Sequence, residues 1–350
     1  MNLLTVRRVT ACASLLLAAC GGNVVVDHDG SDTPPTPTST ITTTGTPTST
    51  ITPTDLPPLC GTDREAPGCQ PEEVAATDGQ PVGITVDETH VYWTTLDGAL
   101  WRAPLDGGTA EMLAYVGGIS YYLAGNALHL YMATYNSNQV VRVGKDDGFL
   151  DVLQLNEAMP AGIAVDGTHV YWASTSFNGT VRRRPLAGGA VETLLGGFES
   201  AWKIVLRDGV LYVADQLLGR VARIPLDGAP VSYVATNQLG PVAIAVDATS
   251  IYSADADGGQ ITRAPREGGP TVTLADAGYP IDIVVDDQSI YWTDIDTGRV
   301  SMLLKDGDGG DGGDPIVLAD GQDRPQGIAA SPTHIYWVET FGDRVMRVAK

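Results

Sequence analysis

Basic side chains are scarce in this chain. Lys and Arg number 21 against 42 Asp and Glu, which leaves a formal charge of −21 over 350 residues. A surface of that sign repels phosphate backbones and argues against nucleic acid as a partner. Histidine is sparse too, with five copies, and there are only four cysteines. Beyond the N-terminus no apolar run approaches the roughly 18 residues of a membrane span. Glycine, by contrast, is abundant at 41 residues, among runs of Thr, Val and Tyr. That composition speaks against a helical bundle or coiled coil. The length suits one large all-β domain as well as two ordinary ones.

The N-terminus carries Arg7 and Arg8, a largely apolar run from Val9 to Leu17, and then Leu17-Ala18-Ala19-Cys20. This resembles the lipoprotein signals of bacteria, in which the cysteine thiol is diacylated and the preceding peptide removed. Val9-Thr10-Ala11-Cys12 has a similar pattern, but only Arg7 and Arg8 precede it and no apolar run does. Residues 1–19 are therefore expected to be a signal peptide and Cys20 the lipidated, palmitate-bearing residue. More than one acyl chain gives stable membrane anchoring, since each buried methylene contributes about 0.8 kcal/mol. Gly21 stands where an Asp would imply inner-membrane retention, so the resemblance points to the outer membrane of the envelope, periplasmic or surface-facing.

Residues 20–58 read as a disordered tether. From 31 to 58 the chain is Thr, Pro and Ser with almost nothing to bury, including two copies of Thr-Pro-Thr-Ser-Thr-Ile-Thr. Such a segment cannot offset its ordering entropy. At ~3.1 Å per residue it spans roughly 85 Å at most. Residues 59–70 hold Cys60 and Cys69, for which a disulfide is the expectation in an oxidising compartment. A metal pair is the alternative, disfavoured because no His lies near them. A loop this short contributes up to about 3 kcal/mol.

From residue 70 onward the chain repeats itself. Gly83-Ile84-Thr85-Val86-Asp87 with His90-Val91-Tyr92-Trp93 returns as Gly162-Ile163-Ala164-Val165-Asp166 with His169-Val170-Tyr171-Trp172. Later copies centre on Tyr212, Tyr252, Tyr291 and Tyr336, at intervals of 41, 40, 39 and 45 residues counted from Tyr171. Tyr92 and Tyr171 are 79 apart, room for a divergent copy around Ser120-Tyr121-Tyr122-Leu123 and Leu128-His129-Leu130. That makes seven.

Each copy reads as four short strands: a small-apolar run, an aromatic run, a Val/Arg run, and a fourth segment like Thr271-Val272-Thr273-Leu274. Asp-Gly and Gly-Gly at the third turn supply the positive φ of tight hairpins. Four antiparallel strands per roughly 40 residues predicts an all-β, seven-bladed β-propeller over 71–350. Small residues suit the innermost strands, which converge on the axis, while Tyr and Trp fill the widening space between blades. The seventh copy stops after its third strand, and Glu73 to Asp78 matches a fourth. The N-terminal strand is thus expected to close the last blade. Six blades with one unit outside the ring is the alternative.

Tyr291-Trp292-Thr293-Asp294 spells the tetrapeptide of the YWTD propellers of the low-density-lipoprotein-receptor type, and the wider unit resembles related propellers of bacterial lipoproteins. The resemblance covers about 70–350. Other copies read Tyr-Trp-Thr-Thr, Tyr-Trp-Ala-Ser or Tyr-Ser-Ala-Asp.

Repetition separates blade-building residues from singletons. Asp87, Asp166, Asp247 and Asp286 recur at the end of strand one and are expected to cap local amides. His90, His169 and His334 share the position before strand two, which leaves no His standing alone as a general base. The recurrent Arg102, Arg183, Arg223, Arg263 and Arg347 are expected to pair with the acids after strand two, Asp215, Asp255 and Glu339. Blade VI has Met302 in place of that Arg, which would free Asp294. Where most copies have Gly or Ala before the strand-one Ile, blade IV has Lys203, preceded by Trp202, and blade VI has Asp282. The divergent blade II adds Tyr121 and Tyr122. These are the candidate binding residues (Lys203, Asp282, Trp202, Tyr122, Asp294), placed at a channel mouth where propellers often bind ligands. A Lys–Asp contact plugging the channel, with Trp202 as packing, is the equal alternative.

The Asp-Gly insertion with Asp306, Asp308, Asp311 and Asp314 could wrap a calcium ion, but its spacing matches no EF-hand and a solvated acidic hairpin is preferred. No other cofactor is expected. The function expected is that of a lipid-anchored, monomeric, non-catalytic module binding an envelope or extracellular protein, a glycan or a small molecule. A metal-dependent lactonase- or lyase-like propeller enzyme is the alternative.

Overall fold

In the computed structural model, residue 60 and residues 68–305 and 313–350 are described. Seven four-stranded antiparallel sheets account for the strands among them. We number the blades I to VII from Pro81, counting strands outward from the axis. Each of the first six blades is four consecutive strands, as in blade III: Pro160–Val165, His169–Ser174, Gly179–Pro185 and Glu192–Phe198. The seven-blade count stands and the six-blade alternative falls.

Blade VII is closed as its two ends require. Pro325–Ala330, His334–Glu339 and Arg344–Ala349 are joined on their outer side by Glu72–Ala76, with Glu72 opposite Arg347 and Ala76 opposite Arg344. Arg347 Nε lies 2.7 Å from Glu72 Oε1 across that seam. Cys60 and Cys69 form a disulfide, and the Cys60 amide donates to the Lys350 carbonyl at 2.5 Å. The lead-in is thereby fastened to the last residue of the chain.

Strand one is lined with small residues because neighbouring innermost strands nearly touch. A Cβ on Gly162 would lie 2.3 Å from the Trp202 carbonyl oxygen of the next blade, and one on Gly327 would lie 2.7 Å from that of Val82. Farther out, blades separate and the strand-two aromatics fill the gap. Trp93, Trp172 and Trp337 are completely buried and lie in different interblade clusters. Hydroxyls tie the strands around the axis: Thr94 Oγ1 donates to the Ser120 carbonyl at 2.6 Å, and Thr340 Oγ1 to that of Pro81 at 2.8 Å. Blade II is the irregular one. Its strand one is cut to Leu123–Gly125, with Tyr121 and Tyr122 just before it.

The ring has two faces. The upper carries the connections from strand two to three and from each blade to the next. The lower carries the one-to-two and three-to-four turns, where Gly107, Gly188, Gly228 and Gly268 adopt the positive φ expected of them.

Candidate functional site

Lys203 and Asp282 face each other across the axis. Lys203 Nζ lies 2.6 Å from Asp282 Oδ1 and 3.1 Å from the Ile283 carbonyl, with the two side chains 2% and 0% exposed. The Ile283 and Ile328 amides also donate to Asp282, at 2.9 and 3.0 Å. Burial pushes the Asp282 carboxyl up, to about 6, against the pull of Lys203 and those amides. From blade II the Tyr122 ring lies 5.6 Å from Lys203 Nζ, and its hydroxyl donates to the Val242 carbonyl at 3.2 Å. Blades II, IV, V, VI and VII are thus linked through a few side chains. The Lys–Asp contact forms, with both side chains buried.

Trp202 belongs to an aromatic cluster beside that contact. Its ring stacks on Tyr135 at 6.0 Å and meets Tyr121 edge-on at 5.6 Å, and its Nε1 donates to Gln216 Oε1 at 2.8 Å. Tyr135 escaped the sequence reading because it stands in a two-to-three connection, outside the repeating core of the unit.

Asp294 is not freed by the missing arginine. Its carboxylate accepts the amides of Gly278, Tyr279, Asp296 and Thr297 at 2.6 to 3.1 Å. It organises two upper-face connections of blade VI.

The expected pairing of arginines with the acids after strand two is also corrected. Arg102, Arg183 and Arg347 reach outward to strand-four acids Glu111, Glu192 and Glu72, and Arg223 reaches Glu267 of the next blade. The acids after strand two instead face the first residue of strand three. Arg220 lies 3.6 Å from Asp215, and Arg344 2.7 Å from Glu339. In blade V that first residue is Gln260, opposite Asp255.

On the lower face the strand-one aspartates do cap turns. Asp87 accepts the amides of Thr89 and His90 at 2.9 Å. They also take part in a clamp the sequence reading missed. Lys145, Lys305 and Lys350 each reach the preceding blade, at 2.9, 2.7 and 2.8 Å from Asp87, Asp247 and Asp286. Each ammonium lies 5.2 to 5.5 Å from the Tyr ring whose hydroxyl bonds the same carboxylate. Burial raises the Asp247 carboxyl, but Lys305 and the turn amides outweigh it and hold the group down at about 2. His90, His169 and His334 sit in these turns with Nδ1 2.8 Å from a Thr hydroxyl. His129 occupies the same position in blade II.

Exposed apolar side chains gather on the upper face. Met159, Phe177, Leu217, Leu218 and Leu239 stand in the connections of blades III to V, and Phe177 is 84% exposed. On the lower face Leu128 and Phe149 are exposed, both in blade II.

Against solved structures, a streptogramin B lyase matches with a TM-score of 0.67 at 15% identity, over 79% of this chain and 96% of that one. A nidogen/laminin complex matches at 0.52 and 20% identity, over 62% and 89%. The computationally designed Ika8 protein matches at 0.56 and 14%, over 80% and 100%. The likeness is one of fold. No protein-family model matches, and no curated protein does. Since propellers carry many unrelated functions, the site has to be argued from its own residues.

Among the described residues no three His, Cys, Asp or Glu side chains group closely enough to hold a metal ion. Asp306, Asp308 and Asp311 lie outside the described residues, as does Cys20; Asp314 is described and exposed.

Proposed function

We propose that this chain is a lipid-anchored extracytoplasmic binding module, acting as a monomer without catalysis, and that it holds an envelope or extracellular protein on its upper face. The observation that carries this reading is the row of exposed apolar loop tips over blades III to V, Met159, Phe177, Leu217, Leu218 and Leu239. Exposed apolar side chains on neighbouring loops suit an interaction site. Each tip is mounted on a rigid blade, so little ordering entropy opposes docking. A nidogen/laminin complex is among the structures this chain resembles, which agrees with a protein partner. The lyase neighbour suggests the enzyme alternative, whose metal-binding His and carboxylates would have to converge; the buried Lys203–Asp282 contact and the turn-bound histidines favour binding instead.

Cys20 acylation would place the module on the outer membrane, with the Thr/Pro segment holding the upper face away from lipid. The test is a pull-down from envelope extracts. Phe177→Ser with Leu217→Ser should lose the partner, while the Lys203→Gly, Asp282→Gly pair should lose it only if the axis contributes. Equal recovery with the loop-tip variant would discard the upper-face site. A Cys20→Ala chain that still pellets with membranes would overturn the anchor.

A further inference from the structure

Blade V departs from its neighbours at several places around one cleft. Where blades I, III, VI and VII have Trp93, Trp172, Trp292 and Trp337, blade V has Ser253. Opposite it on strand three stands Thr262, where blade I has Trp101 and blade III has Arg182. The acid ending strand two, which faces Arg220 in blade IV and Arg344 in blade VII, faces Gln260. Thr262 and Gln260 line a cleft of about 310 Å³. It runs between the 236–239 connection, which leads in from blade IV, and the outer strands of blade V. That volume is at the lower end of small-molecule sites.

Two buried acceptors in this cleft are left over. Gln238 stands where Glu157 and Gln322 accept the indole N–H of Trp172 and Trp337. With no indole in blade V, its amide nitrogen turns to the Thr262 hydroxyl, 2.9 Å away, and its Oε1 has no partner. Asp255 accepts from the Thr262 hydroxyl through Oδ2 at 3.4 Å and is further eased by the Leu239 amide, while its Oδ1 makes no hydrogen bond. Asp255 is 2% exposed and Gln238 7%. No cationic side chain is among the lining residues.

A buried carboxylate without a counter-charge is costly, and an acceptor left unbonded adds to that cost. With Asp255 ionised both orphans are acceptors, so the missing group is a donor. In blade VII Arg344 donates to the equivalent acid at 2.7 Å, in blade IV Arg220 sets a counter-charge 3.6 Å from it, and the chain's net charge of −21 attracts cations from solution. We propose that the cleft binds the ammonium or guanidinium group of a small organic cation, which donates to Asp255 Oδ1 and Gln238 Oε1. The ligand would take the place that Arg220 and Arg344 occupy in blades IV and VII. The cleft adjoins the upper-face loop tips, with Leu239 common to both, but its recognition chemistry lies in Asp255 and Gln238 and does not rest on the apolar tips.

The test is isothermal titration of the whole chain in detergent with agmatine and with putrescine, at pH 8 and moderate salt. Glucose and calcium chloride serve as a neutral donor and a bare cation. Wild type should bind at least one of the two amines, and which one distinguishes guanidinium from ammonium. Asp255→Asn should weaken binding at least tenfold. Gln260→Arg, which rebuilds the sister-blade pair internally, should abolish binding and raise Tm. Asp320→Asn, an exposed acid in blade VI, should leave binding unchanged. Failure of both amines to bind, equal binding to Gln260→Arg, or a glucose affinity matching that of the amines would overturn the proposal. So would calcium binding alone that is lost in Asp255→Asn, since the site would then be a metal site.

Discussion

At the scale of single residues, the acid ending strand two shows how differently one position is held. In blades IV and VII an arginine faces it, in blade VI four main-chain amides do, and in blade V a threonine hydroxyl and the Leu239 amide are all that oppose burial. Desolvation therefore dominates at Asp255 and pushes its carboxyl from 3.8 up to about 7. The sign of the consequence follows from linkage. Between those two values the folded chain keeps a proton that the unfolded chain has released, so stability falls as pH climbs from about 4 to about 7 and levels off above. Asp255→Asn removes that dependence. Relative to wild type, the variant should gain on the order of 3 kcal/mol between pH 5 and pH 8 in urea unfolding. A difference that stays constant across that range would mean Asp255 is not the buried, uncompensated acid described here.

Singletons were legible at this scale only in part. Lys203 and Asp282 stood out against glycine and alanine, and the sequence could hold both of their roles open. It could not choose, because whether two side chains two blades apart meet depends on the width of the axis. Asp294 was misread for a similar reason. The absent Arg was visible, but main-chain amides carry no side-chain signature. The Ser253 and Gln260 substitutions were equally visible, yet their meaning came only with the register that sets Gln260 against Asp255.

At the scale of elements, the four-strand unit was readable because its turns and its alternation of small and aromatic residues recur. The pairing of arginines was not, since two sets of basic residues recur in strand three and either could meet the acids. Antiparallel register decides: Asp215 lies opposite Arg220, while Arg223 lies opposite Tyr212. The glycines of strand one, by contrast, were read correctly as a volume effect. Gly162→Val tests it. Its new Cβ would sit 2.3 Å from the Trp202 carbonyl and 3.0 Å from the Ile204 nitrogen, both main-chain atoms that cannot swing aside. A loss of about 3 kcal/mol is expected, at the upper end for overpacking. Gly167→Ala, where no atom lies within 4 Å, should stay within about 0.5 kcal/mol of wild type. Similar losses in the two variants would mean that strand one has room the structure does not show.

At the scale of the whole molecule, closure is the property on which every interblade contact depends. A ring with its last blade unpaired would expose the edge of Arg344–Ala349, an invitation to association with another chain. The segment Glu72–Ala76 covers that edge, burying Val74 and Ala75, and the disulfide-bonded lead-in adds the Cys60–Lys350 hydrogen bond. Lys350 in turn clamps Asp286 of blade VI, so the lead-in at Cys60, the last residue and blades VI and VII are joined there. The two parts of this latch can be separated by truncation. A chain lacking 1–58 retains both and should remain monomeric. A chain lacking 1–77 loses the disulfide, whose loop contributes up to about 3 kcal/mol, and also the fourth strand of blade VII. It should melt at lower temperature and self-associate in light scattering. Cys60→Ser should lower Tm without self-association, because the strand still covers the edge. If removing residues 59–77 changed neither melting nor mass, the ring would be holding itself closed from blade VII to blade I through strand-one contacts alone, and the outer strand would be dispensable.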